Sequence, residues 1–159
     1  MLNKDRRFSI NVTSQNVHII TTSLRCRSNS DMLAEVFAEG AKAAGHHTEI
    51  ISLKDKNIAF CKGCLACQKT GSCVIKDNAV QITEKMKNAD VIVWATPIYY
   101  YEMSGQMKTM IDRANSIYSS DYSFRDVYLL SAAAENGSGY KPLDKDEVTA
   151  IFRASLKKL

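Results

Sequence analysis

The chain predicts a doubly wound α/β domain of three layers with a parallel sheet in the middle. Four apolar runs, VHIITT from Val17, TEIISL from Thr48, VIVWA from Val91 and VYLLSA from Val127, lack strict polar alternation and are rich in β-branched and aromatic residues. Strands of that kind are buried on both faces, as in parallel sheets. Amphipathic helical stretches separate the runs, and strand–helix alternation implies right-handed crossovers. The 159 residues, 45% apolar and 24% charged, fit one domain with a sizeable core.

In chain order, FSINVT from Phe8 to Thr13 alternates in polarity and reads as either an extra edge strand or a flexible leader. Residues 1–16 are therefore set apart from a single domain at 17–159. After the first run, Leu33, Phe37, Ala41 and Ala44 share a helical face, Ser28 and Asp31 are spaced like a capping box, and Gly45 is a stop. That helix is predicted over about residues 30–44. Ile82, Met86 and Ala89 mark a second helix behind an Asp77/Asn78 cap. Met107, Met110, Ile111 and Ala114 mark a third opening near Ser104. Val148, Ile151, Phe152, Leu156 and Leu159 form the stripe of a last helix, with Asp144 and Glu147 at its start and Lys157 and Lys158 at its negative end.

The basic N-terminus has no apolar run behind it, and no stretch reaches transmembrane length, so neither secretion nor a membrane is expected. The expected compartment is the cytoplasm, where clustered cysteines serve metals or redox chemistry more often than structural disulfides. The formal charge of +4 is spread along the chain with no nucleic-acid motif beside it. A mild positive excess suits small phosphorylated ligands.

In doubly wound sheets ligands sit beyond the carboxyl ends of the strands where strand order reverses. This points to the loops after Thr22, Ala95 and Ala132. The first, TSLRCRSNSD, offers Ser23, Ser28, Ser30 and Asn29, the guanidinium groups of Arg25 and Arg27, and the open N–H groups of a helix start. Such a terminus attracts anions, phosphate above all, although Ser and Asn there also serve as plain caps. Neither GxGxxG nor GK[ST] is present. In the second loop, ATPIYYYEMSGQMK, Pro97 is expected to stop the strand. Tyr99, Tyr100 and Tyr101 then suit either a planar ligand or a neighbouring subunit.

Together TSLRCRSNS, CKGCLACQKTGSCVIKD and ADVIVWATPIYYYEMSGQMKTMIDR resemble the flavodoxin-like NAD(P)H-dependent FMN reductases, including the iron–sulfur flavoproteins, over about Val17 to Glu135. The resemblance implies that Ser23, Arg25, Ser28, Asn29 and Ser30 form an FMN phosphate loop. It likewise places Pro97, Ile98, Tyr99, Tyr100 and Tyr101 along the isoalloxazine ring and Ala133, Ala134 and Glu135, within the loop Ala133 to Ser138, at a third wall. It implies hydride transfer from NAD(P)H to FMN and onward to a small-molecule electron acceptor, in a homodimer; no catalytic acid, base or nucleophile is nominated, since the cofactor carries the chemistry. It also implies a fifth strand and final helix that the chain, ending at Leu159, is expected to lack or replace. Alternatives are an iron–sulfur flavoprotein for electron transfer, or an inactive truncated flavin-binding module.

Residues 61–73 read CKGCLACQKTGSC and gather Cys61, Cys64, Cys67 and Cys73, four of the five cysteines. The spacing is near known iron–sulfur runs without the ferredoxin ending, and zinc suits it less because Cys64 would serve two CxxC pairs. A cluster, a dithiol and plain packing beneath the loop all remain open. Cys26, His18, His46 and His47 are read as structural.

Overall fold

A computed structural model describes residues 13–118 and 120–133. The expected last helix, residues 8–12 of the expected edge strand, and Ala134 and Glu135 lie outside the described residues. The elements are β1 (Asn16–Thr21), α1 (Asn29–Ala43), β2 (His47–Ser52), α2 (Ala66–Thr70), α3 (Asn78–Lys87), β3 (Val91–Tyr99), β4 (Glu102–Met103), α4 (Gly105–Arg113), a 3-10 turn (Ala114–Ile117) and β5 (Asp126–Ala132).

Four strands run parallel in the order β2-β1-β3-β5, with β4 an antiparallel extension of the far end of β3. Successive residues of β1 and β3 feed two cores. Val17, Ile19, Val91, Val93 and Ala95 pack with Ala34 and Ala38 of α1. Ile20, Ile92 and Trp94 pack with Ile82 and Met86 of α3 and Met107 and Met110 of α4. Buried on both faces, these strands need no polar alternation. The connection β1 to β2 moves one way along the sheet and β2 to β3 the other, so crossovers of one hand must put α1 and α3 on opposite faces. The two cores show that they do.

The caps follow the sequence. Ser28 Oγ accepts from Asp31 N at 3.1 Å, Asp77 Oδ1 from Ala79 N at 3.0 Å, and Ser104 Oγ from Met107 N at 3.3 Å. Each oxygen satisfies a donor that the first helical turn leaves open. Gly45, at φ +90°, turns the chain out of α1.

Three expectations are corrected. The runs of β2 and β5 are only partly covered rather than buried on both faces; α1 buries Ser30, Ala34 and Ala38, leaving Leu33 exposed; and Pro97 does not stop its strand, since β3 continues to Tyr99 with Pro97 opposite Ala132 of β5. The last register partner of β1 is Thr21, opposite Ala95, so beyond that point β3 has a flank without a ladder. A residue lacking N–H breaks no bond on such a flank. The extra length carries a hairpin that the sequence did not announce, pairing Ile98 with Met103 and Tyr99 with Glu102. Its two turn residues, Tyr100 (φ 47°) and Tyr101 (φ 67°), are both left-handed, as a type I′ turn requires.

Tyrosine is costly at those positions, where Asn-Gly is the usual solution. Replacing Tyr100→Asn and Tyr101→Gly together is expected to stabilise the fold by about 1 kcal/mol, or roughly 3 °C in Tm, after loss of the ring contact between the tyrosines. Thermal unfolding followed by circular dichroism checks this. An unchanged or lower Tm means the turn stores no strain.

Candidate functional site

Strand order reverses between β1 and β3, so the crevice opens at their carboxyl ends, between the loop at residues 22–28 and the β3–β4 hairpin. A buried hydroxyl network joins the two. Thr22 N donates to Ala95 O at 3.0 Å and Thr22 Oγ1 to the same oxygen at 3.2 Å. Ser104 Oγ donates to Thr22 Oγ1 at 2.9 Å, while Ser104 N reaches Thr96 Oγ1 at 3.2 Å. Thr22, Thr96 and Ser104 are all fully buried. The network locks the end of β1, the end of β3 and the start of α4 into one unit.

Above it stands the first candidate loop. Ser23 is buried, and its Oγ accepts from Arg25 N at 3.2 Å, folding the loop back on itself. Ser28 and Ser30 are buried with their hydroxyls 3.0 Å apart, whereas Arg25, Arg27 and Asn29 are exposed. Arg27 turns the chain into α1 with φ 49°, a left-handed conformation uncommon outside glycine. The helix therefore begins with hydroxyls beside its open N–H groups and cations around its mouth, an arrangement that favours a phosphate.

Sequence reasoning missed a further cation, Lys54, just past β2, whose Nζ donates to Cys26 Sγ at 2.8 Å. The hydrogen bond to Cys26 and the neighbouring charges of Asp55 and Asp31 raise the Lys54 pKa, keeping it positive beside the loop. Only the parallel register, which brings the end of β2 beside the end of β1, reveals it. Across the crevice the hairpin presents Tyr99, Tyr100 and Tyr101, the middle one 94% exposed. Ala133 follows β5 at the same end of the sheet, and is exposed. The structure thus gathers the first two predicted loops and the start of the third around one mouth. A cavity of about 410 Å³ between Ser120, Tyr122, Phe124 and Arg125 lies elsewhere, toward the amino ends of β3 and β5, where Arg125 N bonds Asp90 O.

The cysteine segment leaves from the carboxyl end of β2. All five cysteines are free; Cys61 and Cys64 are exposed, Cys67 is buried in α2 and Cys73 is half-buried. Among the described residues no three potential metal ligands converge in this arrangement. Yet the segment is firmly tied at its ends. Arg113, with its side chain fully enclosed, donates from Nη1 to Ala59 O at 2.8 Å and to Asp77 Oδ2 at 2.6 Å, and from Nη2 to Ile75 O at 3.0 Å and to Asp77 Oδ1 at 2.9 Å. Asp77 also accepts from Ala59 N at 2.9 Å. The sequence reading took Asp77 as a cap and passed over Arg113. The available signal was a charge in register with Met107 and Met110 on a buried helical stripe, which requires a partner.

These features define a doubly wound domain of flavodoxin type in which a loop rich in hydroxyls and cations opens at the same mouth as an aromatic hairpin. Residues 15–149 match the NADPH-dependent FMN reductase family, and the chain belongs to that family. An iron–sulfur flavoprotein of Archaeoglobus fulgidus is 44% identical over 100 residues, covering 63% of this chain and 49% of that protein. One of Methanocaldococcus jannaschii is 36% identical over 98 residues, covering 62% and 51%. The matched region spans about half the length of these relatives. Among solved structures, an NAD(P)H:quinone oxidoreductase from Methanothermobacter marburgensis shares the fold with a TM-score of 0.68 at 17% identity, covering 91% of this chain and 76% of that one. An azoreductase from Bacillus anthracis does so with a TM-score of 0.63 at 16% identity, covering 89% and 79%.

Two outcomes follow from the buried groups. Ser104→Ala removes a helix cap and a bridge between buried hydroxyls, and is expected to cost about 2 kcal/mol in urea unfolding; a loss below about 0.5 kcal/mol removes the bridging role. For Asp77, burial opposes ionisation, but hydrogen bonds from Arg113 and from the N–H groups of Ala59 and Ala79 outweigh it and hold the carboxyl below its usual range. A depressed carboxylate contributes stability that is present above its unfolded pKa of about 3.9 and is lost as pH falls through the folded value. Asp77→Asn should therefore be less stable at neutral pH and lose less on acidification, as denaturant unfolding across that range measures. Parallel pH profiles for the two proteins contradict the assignment.

Proposed function

We infer that the chain binds FMN at the crevice and acts as an oxidoreductase, taking reducing equivalents from NAD(P)H and passing them to a small-molecule acceptor. The observation that carries this is the start of α1. Buried Ser28 and Ser30, exposed Arg25 and Arg27, and Lys54 surround one helix terminus at the switch point, facing three tyrosines. Ser23, Ser28, Asn29 and Ser30 with the arginines would hold the phosphate; Pro97 to Tyr101 and Ala133 would border the ring. The flavin, when bound, supplies the hydride chemistry. The chain would position it between the loop at residues 22–28 and the tyrosine hairpin.

Apo protein titrated with FMN, read by flavin fluorescence, tests the site. Arg25→Ala with Arg27→Ala is expected to weaken FMN by about tenfold or more while barely changing riboflavin, which has no phosphate to lose. Equal effects on both ligands, or no flavin uptake by the wild-type chain, end the proposal. Bleaching of bound flavin by NADPH under nitrogen tests the electron source.

A second reading, electron transfer through an iron–sulfur cluster on Cys61, Cys64, Cys67 and Cys73, is supported by the donor set. Four free thiols lie within residues 61–73, inside a loop whose ends are fastened together, and the related proteins named above are iron–sulfur flavoproteins. Thiolates in such a compact loop fit the ligation of a cubane cluster, although the sulfurs stand apart here. Iron and acid-labile sulfide in anaerobically purified protein decide it. A homodimer also belongs to this proposal, supported by the exposed apolar side chains of Met32, Leu33 and Val36 along α1; light scattering on purified protein tests it. A cytoplasmic location is proposed on the free state of all five cysteines. No helix among the described residues is long and apolar enough to cross a membrane.

A further inference from the structure

We propose that Arg113 and Asp77 are positioning residues for the four-cysteine loop, closing its two ends so that Cys61, Cys64, Cys67 and Cys73 are offered as one ligand set. As a statement about ligation it rests on the iron–sulfur reading; as a statement about loop closure it stands on the geometry alone.

The loop is bounded by Ala59 on one side and Ile75 on the other. Neither end is held by a strand ladder; one guanidinium spans both. Nη1 takes the carbonyl of Ala59 and Nη2 that of Ile75, while the Asp77 carboxylate accepts from both nitrogens in a fork and from Ala59 N as well. Planar, five-donor geometry is what allows a single side chain to serve two carbonyls and a carboxylate together, and lysine cannot reproduce it. Upstream, Asn57 and Asn78 add a reciprocal pair, Asn57 N to Asn78 Oδ1 at 2.8 Å and Asn78 N to Asn57 O at 3.1 Å. Downstream of Arg113, Asn115 Nδ2 lies 3.6 Å from Cys67 Sγ, so the same stretch of chain also reaches the buried thiol directly.

Between these ties the backbone is irregular up to the short α2. Gly63 and Leu65 have φ of 64° and 56°, and the segment forms no regular structure before Ala66. Fixed ends around a segment without a strand ladder suit a loop whose sulfurs must draw together around a guest. A buried ion pair is also costly to break from one side, because the remaining charge is left unpaired.

The test compares wild-type protein with Arg113→Lys and Asp77→Asn. Apo protein is treated with a thiol-modifying disulfide reagent under native conditions, and separate samples are reconstituted anaerobically with iron and sulfide. Both variants are expected to raise the modification rates of Cys67 and Cys73 by about tenfold or more, with FMN affinity unchanged. Reconstituted variants should carry less than about half the wild-type iron, and the electron paramagnetic resonance spectrum of their reduced cluster should shift. Rates within about twofold of wild type, in variants that load iron normally, overturn the proposal. Wild-type protein that takes up no iron, while its variants expose Cys67 and Cys73 faster, removes the cluster and supports the closure. If the variants fail to fold, amide exchange on the wild-type chain decides: slow exchange at Ala59 N supports the clamp, and exchange as fast as at Lys62 and Gly63 overturns it.

Discussion

Parallel strands whose order reverses leave a gap between two loops, and in this chain the gap must be crossed by buried polar groups that have no water to fall back on. Thr22, Thr96 and Ser104 meet there, from β1, β3 and the cap of α4, and each finds its partners in the others or in backbone. Buried hydroxyls impose direction where apolar packing does not: the three side chains must arrive in register for the bridge from Thr22 through Ser104 to Thr96 to form. The position of the loop at residues 22–28 relative to the tyrosine hairpin is thereby fixed from below. The proposed flavin site draws on that rigidity, because donors act only when already aimed.

The second buried polar system follows another logic. Arg113 and Asp77 are too well enclosed for their attraction to be dismissed as a surface effect, yet the desolvation of both charges consumes much of what the pairing returns. Their value lies less in net stability than in what the guanidinium can reach. An apolar pair of equal volume would pack into the same space and leave the carbonyls of Ala59 and Ile75 without donors. The pair is therefore best understood as a geometric device within an otherwise apolar helix face.

The layers and caps were legible because they are local. The runs of β1 and β3, Ser28, Asp77 and Ser104 before their helices, and Gly45 after one all carry their signals within a few residues, whereas the partly exposed β2 and β5 show that an apolar run alone does not tell a central strand from an outer one. Pro97 misled because a proline is a strand stop only if both flanks are paired, and how far β1 extends beside β3 is a fact of register. The Tyr100–Tyr101 turn was invisible for the opposite reason: the sequence lacks the Asn-Gly that normally announces a type I′ hairpin. Lys54 and Arg113 illustrate a third limit. Each acts on residues far away in sequence, Cys26 and Asp77, and pattern within one element does not carry such pairings. The candidate loops were found because strand order places them at one end of the sheet; the contacts that hold them there were not.

That shared end also explains why the hydroxyl- and cation-rich loop and the cysteine loop lie side by side. The first grows from β1 and the second from β2, which are hydrogen-bonded neighbours in register from Asn16 opposite His47 to Thr21 opposite Ser52. Adjacent strands lie about 4.8 Å apart, so chains leaving their carboxyl ends begin side by side. Leu53 N still bonds Thr21 O beyond the last register pair, and one residue later Lys54 reaches Cys26. Any group seated on the first loop is thus near the root of the second, without a dedicated connecting element. Proximity of the two loops is here a consequence of sheet topology, independent of the side chains that either loop carries.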